Sequence, residues 1–175
     1  CRTCHHWNEF GHPEYKINVN LSVLQLLQKD IVNVIANAIN VTGINPDNLV
    51  LEVTEGMAIN DMDKMKGVLE KIHDLGVRIA LDDFGTGYSS LSHMKDLPLD
   101  ELKIDKCFVD DIDKDDYSDA FVRSVSQLAD AVNLNVIVEG VERGKQQDVL
   151  KGMDVDMIQG FLYDKPLPLS DFESK

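Results

Sequence analysis

Six short apolar segments recur along this 175-residue chain, and each has a polar residue at or near its carboxyl end. We predict strands at 17–20, 49–55, 77–81, 101–105, 135–142 and 157–160. Strands that alternate with helices form parallel sheets, and their right-handed crossovers wind the sheet in one direction. Polar residues at the carboxyl ends of many strands indicate a (β/α) barrel, because the active site of such a barrel lies on that face.

Helical patterns lie between most of these segments. The first is predicted to begin after Ser22, a good N-cap, and to close at Thr42-Gly43. A further helix is predicted from about 143 to 151, before Gly152. In the three longer patterns the apolar residues recur at steps of three and four: Leu24, Leu27, Ile31 and Ile35; Met62, Met65, Leu69 and Ile72; Phe121, Val125, Leu128 and Val132. We expect these apolar faces to pack against the sheet.

Two adjacent aspartates, Asp82 and Asp83, follow the apolar run 77–81 and precede a polar loop that contains Gly85 and Gly87. Side chains alternate along a strand, but at a frayed carboxyl end both carboxylates can turn toward one pocket. Crowded carboxylates repel each other unless a cation lies between them, and a divalent metal ion is the usual partner. A helix-capping turn is the alternative, since Asp and Ser are also good N-caps.

Composition limits the classes of partner. The formal net charge is −14, which argues against a surface for DNA, RNA or an anionic membrane. Bound cations would still allow a small anionic ligand. Three cysteines without paired spacing indicate reduced thiols. No apolar run approaches the ~20 residues of a membrane-spanning helix and no signal peptide is recognisable, so we expect one cytoplasmic domain.

The amino terminus contains a competing motif. Cys1, Cys4 and His5 have the spacing Cys-x-x-Cys-His of a c-type haem attachment site, and His6 and His12 lie nearby. A zinc site is the related alternative. Only one copy occurs and no second cysteine pair follows, which argues against a haem or zinc site.

Taken together, the motifs resemble the EAL domain family, the cyclic di-GMP-specific phosphodiesterases of bacterial signalling. The matching segments follow the family's order over almost the whole chain: Asn20-Leu21-Ser22, Glu52-Val53-Thr54-Glu55, the block from Asp82 to Leu91, the run from Leu102 to Val109, Glu139-Gly140-Val141-Glu142, Gln159-Gly160-Phe161 and Pro166-Leu167. The resemblance implies a TIM-barrel-like (β/α)8 fold and the hydrolysis of cyclic di-GMP to linear pGpG.

The resemblance also implies a two-metal site for Mg²⁺ or Mn²⁺. Its ligands match Asn20, Glu52, Asp82, Asp83 and Asp105. Two such ions share the charge that develops on a phosphodiester and supply a hydroxide at neutral pH. Carboxylate and amide oxygens are the donors that these hard cations prefer.

Four catalytic residues are implied in the same way: Lys103, Glu139, Glu55 and Glu142. Lys103 and Glu139 match residues that position or activate the attacking water. Glu55 matches the residue that anchors the loop after Asp83, and Glu142 supports the site from further away.

Substrate-binding residues are implied at Asn20 and Gln159. Simpler roles stay open for some of these positions. Asn20 also suits a helix cap, Gln159 a structural hydrogen bond, and Glu142 the first turn of a helix, where the macrodipole favours an acid. Lys103 lies within an apolar strand, where an unpaired charge is costly, so a surface role is disfavoured.

The Glu-Ala-Leu signature that names the family does not occur in this sequence. We therefore expect residues 1–175 to form one domain that lacks the N-terminal strands and most of the first helix, with about six of eight strands present. The length agrees, since such barrels typically have ~250 residues. The resemblance implies that the signature glutamate binds metal and that a nearby arginine binds the substrate phosphate, so we expect impaired activity.

An open barrel exposes two sheet edges, which favours self-association or a homodimer. The resemblance also implies dimerisation near residues 88–99. Two functional alternatives remain at this point. One is a non-catalytic module that binds cyclic di-GMP or a protein, and the other is an unrelated metal-dependent barrel hydrolase.

Overall fold

The structure is a computed structural model that describes residues 1–54, 62–86 and 95–175. Within these residues the strands form one parallel sheet in chain order. The strands are β1 Ile17–Asn20, β2 Leu49–Thr54, β3 Arg78–Phe84, β4 Glu101–Ile104, β5 Asn135–Val138 and β6 Met157–Ile158. The sheet curls into a half-barrel, which confirms the predicted incomplete α/β barrel.

Seven α-helices are described. They are α1 Arg2–Glu9, α2 Val23–Leu26, α3 Ile31–Thr42, α4 Met62–His73, α5 Asp116–Asp130, α6 Gly144–Leu150 and α7 Leu169–Phe172. Short 3₁₀ turns occupy Pro46–Asn48 and Lys106–Phe108. No helix among the described residues has both the length and the apolar character needed to cross a bilayer.

The predicted helix between Ser22 and Gly43 is wrong as a single element, because α2 ends at Leu26 and α3 begins at Ile31. Both predicted ends are confirmed: Ser22 forms a capping box with Gln25, and Gly43 has the left-handed φ of 72°. Between the helices, the amides of Gln28 and Ile31 each donate to the carbonyl three residues earlier, so the backbone tightens there. Leu24, predicted to pack against the sheet, is 81% exposed.

The apolar face predicted for α5 is also partly wrong. Leu128 and Val132 are exposed, whereas Val125 is buried as expected. The buried face is rich in small residues: Ser118, Val122, Val125, Ser126 and Ala129. Small side chains allow a helix to lie close to its neighbours, so a search for large apolar residues misplaced this face.

Alternation along the strands separates two environments. Leu49, Leu51 and Val53 of β2, like Ile79 and Leu81 of β3, belong to the hydrophobic core. The core also contains Met65, Leu69 and Ile72 of α4, which confirms that predicted helix face. The strand residues whose side chains point to the other face of the sheet are largely polar or charged: Asn18, Glu52, Asp82, Glu101 and Lys103.

Gly85 follows β3 in a backbone conformation that L-residues rarely adopt, with φ of +99°. A Cβ at this position would lie 2.5 Å from Phe108 Cε2 and 2.9 Å from Phe121 Cζ. These two rings are stacked with centroids 3.9 Å apart. Both the φ angle and the rings therefore require glycine two residues after the aspartate pair.

Replacement of this glycine supplies a test of the loop. Gly85→Ala is expected to lower the free energy of unfolding by about 2–3 kcal/mol, because it adds backbone strain and a clash with the stacked rings. Gly67→Ala, within α4, is the matched control. Apart from the neighbouring backbone of α4, no atom of the described residues would lie within 4 Å of a Cβ added at Gly67. The control should stabilise by about 1 kcal/mol. Urea unfolding measures both, and equal effects would contradict the assigned loop conformation.

Candidate active site

Four charged residues meet at the carboxyl ends of neighbouring strands. Glu52 lies on β2, Asp82 on β3 and Lys103 on β4, and Glu139 directly follows β5. The strands run parallel, so their carboxyl ends lie at the same edge of the sheet. Side chains alternate between the two faces within each strand, and the register between the strands places Glu52, Asp82 and Lys103 on the same face.

The ammonium of Lys103 is the centre of this cluster. Lys103 Nζ lies 2.5 Å from Glu52 Oε1, 2.7 Å from Glu139 Oε1 and 3.1 Å from Asp82 Oδ1. Lys103 is only 4% exposed, and Glu52 only 6%. A buried lysine with three carboxylate neighbours is a paired charge, as predicted from its position within an apolar strand.

Burial and pairing act in opposite directions on this lysine. Burial alone lowers the pKa of Lys103, but hydrogen bonds to Glu139 and Glu52 outweigh it and raise the pKa above its ordinary value. Lys103 is therefore an ammonium at neutral pH. Burial raises the pKa of Glu139, and Asp82 and Glu52 add to that shift, while Lys103 opposes it.

A bulge in β3 brings the two adjacent aspartates into one region. The register against β4 shifts between Leu81 and Phe84, and Asp83 has a positive φ of 56°. The prediction placed Asp82 and Asp83 at a frayed strand end after Leu81, but β3 continues to Phe84. The left-handed residue and the bulge, not fraying, break the alternation that would otherwise separate the two carboxylates.

Asp83 and Asp105 lie near this cluster. Burial raises the pKa of Asp83, and the negative charges of Asp82 and Asp105 raise it further. Asp105 Oδ1 accepts a hydrogen bond of 2.9 Å from the Cys107 amide. Burial would raise the pKa of Asp105, but hydrogen bonds from the Cys107 thiol and from the Cys107 and Lys106 amides lower it overall.

Asn18 is a member of the site that the sequence analysis missed. Its Nδ2 donates a 2.8 Å hydrogen bond to Glu52 Oε1, the oxygen that also contacts Lys103. A usable signal was present in the sequence, because Asn18 precedes Asn20 by two positions and so shares its face of β1.

Asn20 and Gln159 lie at the rim of the half-barrel. Asn20 is exposed at the end of β1, and its Cα pairs in register with that of Glu52. Gln159 follows β6, where its amide donates to Val138 O at 2.8 Å. Its side chain lines a cavity of about 460 Å³ that Asn18 and Glu101 also line.

Glu142 lies outside the Lys103 cluster. Its Oε1 is 2.5 Å from Lys106 Nζ, and this contact lowers the pKa of Glu142. The predicted strand 135–142 is too long, since β5 ends at Val138. Gly140 then takes a φ of +70°, and a Cβ there would lie 2.4 Å from Lys106 Cγ. The left-handed turn at Gly140 ends the strand and separates Glu139 from Glu142.

The remaining sequence predictions concern Glu55, the dimer segment and the amino-terminal cysteines. Glu55 lies outside the described residues, as does most of the proposed dimer segment 88–99, so both stay predictions. Cys4 is buried in α1, with its Sγ 3.4 Å from the Tyr15 carbonyl oxygen. In the described part of the chain, no group of three or more His, Cys, Asp or Glu side chains has the spacing of a formed metal site.

The donor set nevertheless fits a divalent cation. Asp82 Oδ1 is buried and, within the described residues, has no hydrogen-bond partner, although Lys103 Nζ lies 3.1 Å away. Carboxylates outnumber the single ammonium, which leaves the cluster with an excess of negative charge. Oxygen donors with excess negative charge are the environment that Mg²⁺, Mn²⁺ and Ca²⁺ prefer.

Relatives of the chain carry informative names. A protein from Pseudomonas aeruginosa named bifunctional diguanylate cyclase/cyclic di-GMP phosphodiesterase MucR is 40% identical over 96% of this chain and 24% of its own length. The probable cyclic di-GMP phosphodiesterase PdeA from Escherichia coli is 40% identical over 89% of this chain and 21% of its own length. The chain thus spans about a quarter or less of these two curated relatives.

Solved structures agree in fold. The PaMucR phosphodiesterase in complex with c-di-GMP superposes with a TM-score of 0.93 at 40% identity, over 98% of this chain and 70% of that one. Klebsiella pneumoniae BlrP1 in a manganese and cy-diGMP complex gives a TM-score of 0.83 at 29% identity, over 94% and 42% of the two chains. The EAL domain model matches residues 1–166. On this evidence, which confirms the resemblance found in the sequence, the chain belongs to the EAL domain family.

Proposed function

We propose that this chain is the catalytic part of a cyclic di-GMP phosphodiesterase, which hydrolyses one phosphodiester bond of the cyclic dinucleotide and releases linear pGpG. The observation that carries the proposal is the Lys103 ammonium held by Glu52, Asp82 and Glu139 at the carboxyl ends of the strands. The names of the phosphodiesterase relatives support the choice of substrate.

We also propose that the reaction depends on Mg²⁺ or Mn²⁺ bound as a pair. The residues that would hold these ions are Asn20, Glu52, Asp82, Asp83 and Asp105. The bound ions would supply a nucleophilic hydroxide and share the charge of the transition state. Asp82 Oδ1, which is buried and accepts no hydrogen bond within the described residues, and the mutual repulsion of Asp82, Asp83 and Asp105 support this assignment.

Lys103 and Glu139 have complementary roles in this scheme. Lys103 remains protonated and places a positive charge next to the anionic phosphodiester, where it stabilises charge that develops on the non-bridging oxygens. Glu139 accepts a proton from the attacking water at its carboxylate. The raised pKa of Glu139 favours this role, because a base is most effective when its pKa is close to the working pH.

The other predicted site residues are assigned to the substrate and to support of the loops. Asn20 and Gln159 would contact the dinucleotide from the rim. Glu142 would act indirectly, since it pairs with Lys106 and so holds the loop that carries Glu139. Glu55 is proposed to anchor the loop after Asp83, on the family resemblance alone.

The proposed setting is the bacterial cytoplasm, with cyclic di-GMP as the partner. The net charge of −14 supports the absence of a surface for DNA, RNA or anionic membranes. We propose self-association of this chain, because β1 and β6 each pair with only one strand among the described residues. Sedimentation of a single monomeric species at micromolar concentration would contradict it.

Turnover is the direct test of the function. The wild-type chain with Mn²⁺ is expected to convert cyclic di-GMP to pGpG at a reduced rate, because the Glu-Ala-Leu signature does not occur in this sequence; chromatography resolves the product. Asp82→Asn keeps the shape of the side chain but removes its charge, so its rate of hydrolysis should fall by more than roughly 100-fold. A loss of up to about 100-fold is typical when only a residue that hydrogen-bonds to a metal ligand is removed. Asp116→Asn, on the exposed first turn of α5, is the matched control and should retain the wild-type rate.

Two outcomes would contradict this proposal in different ways. Wild-type turnover by Asp82→Asn would remove Asp82 from the metal site. Metal-dependent binding of cyclic di-GMP without any turnover, by this chain and also by the chain extended with the upstream Glu-Ala-Leu strands, would favour the non-catalytic binding module instead.

Removal of Lys103 separates metal binding from chemistry. Glu52→Gln and Asp82→Asn are expected to abolish Mn²⁺ binding, because each removes a negative ligand. Lys103→Met should retain Mn²⁺ and lose turnover. Calorimetric titration of Mn²⁺ measures the binding, and full turnover by Lys103→Met would exclude the lysine from catalysis.

The same variant predicts a change in stability. Without metal, Lys103→Met should lose about 3–5 kcal/mol of unfolding free energy, because buried carboxylates lose their counter-ion. Mn²⁺ should raise the unfolding temperature of the variant more than that of the wild type, since the cation then offsets the unpaired charges. Lys106→Met, which breaks an exposed pair with Glu142, is the control and should change stability little.

A further inference from the structure

The edge strand β1 carries a partly buried hydrogen bond to the proposed metal ligand Glu52. Asn18 Nδ2 donates to Glu52 Oε1 at 2.8 Å, although the Cα of Asn18 pairs in register with Val50. The amide therefore reaches diagonally along the sheet by two positions. Asparagine is disfavoured in strands, so its place in this four-residue strand requires a reason beyond strand formation.

The hydrogen bond acts on one particular oxygen of the carboxylate. Glu52 Oε1 accepts both from Asn18 and from Lys103 Nζ at 2.5 Å. Within the described residues no hydrogen bond is made to Glu52 Oε2. Two donors on one oxygen fix the rotation of the carboxylate and leave the second oxygen for another partner.

The choice of an amide has a consequence for charge. A neutral donor orients the carboxylate without cancelling its negative charge, whereas a second lysine or arginine would neutralise it. Oriented but still anionic carboxylates are what a divalent cation requires.

We propose that Asn18 is a positioning residue that orients Glu52, so that Oε2 faces a divalent cation and Oε1 is held by Asn18 and Lys103. This inference rests on the proposed metal-dependent function and adds a residue to it. Asn18 acts through Glu52 and has no contact of its own with the cation or the reacting atoms.

The affinity for Mn²⁺ tests this role without any turnover. Counting free Mn²⁺ by electron paramagnetic resonance should give a dissociation constant about 10-fold higher for Asn18→Leu than for the wild type, the lower end of the range for loss of an outer-shell partner. Asn18→Gln keeps the amide donor and should retain most of the affinity. Val19→Ala lies on the same strand with its side chain on the opposite face, and should bind Mn²⁺ as the wild type does.

Turnover against Mn²⁺ concentration supplies the second measurement. The deficit of Asn18→Leu in cyclic di-GMP hydrolysis should disappear at saturating Mn²⁺, because the variant's defect lies in holding the ion. A thermal unfolding midpoint near that of the wild type establishes that the variant is folded. A general structural defect would instead lower activity at every Mn²⁺ concentration.

The outcomes distinguish this inference from the function on which it rests. If the wild type binds Mn²⁺ and folded Asn18→Leu binds it with the same affinity, the role of Asn18 is overturned and the metal site is not. A deficit that persists at saturating Mn²⁺ would overturn it as well. Failure of the wild type to bind Mn²⁺ would overturn the proposed metal site and the role of Asn18 with it.

Discussion

Three carboxylates share the ammonium of Lys103, and this contact joins the carboxyl ends of β2, β3 and β4 and the residue that follows β5. Lys103 is 4% exposed, so either an unpaired lysine or unpaired carboxylates here would be costly. A buried ion pair seldom stabilises a protein more than well-packed apolar residues of similar volume would. The cluster is therefore better explained by chemistry at this face than by stability, and the excess negative charge makes it a place for cations.

Backbone conformation gives this cluster its shape. Asp83 takes a left-handed φ within a bulge of β3, which lets two consecutive carboxylates serve one region. Gly140 turns the chain immediately after Glu139, and the stem of Lys106 occupies the space that a Cβ would need. Sparsely populated backbone conformations of this kind occur often at functional sites, where the surrounding structure holds them in place.

Much of the fold could be predicted from the residues. Alternating strands and helices led to the parallel sheet, and Met65, Leu69 and Ile72 lie in the core as their spacing indicated. The errors share a physical cause. The first predicted helix divides at residues 27–30, and α5 buries small residues instead of Leu128, because helix ends and faces are decided by the packing of neighbours. Propensity and periodicity carry no information about those neighbours.

The sequence by itself determined which residue types stand at the carboxyl ends of the strands and which hydrophobic faces build the sheet. It also determined the family to which the chain belongs. Only the tertiary structure decided which of these residues meet. It joins Lys103 to Glu52, Asp82 and Glu139, pairs Glu142 with Lys106 instead, and adds Asn18 to the site. The reason is that these residues are far apart in the sequence: Asn18 lies 34 positions from Glu52, and Lys103 lies 51 positions from it. Strand register and the curl of the sheet, not local spacing, bring such distant side chains together.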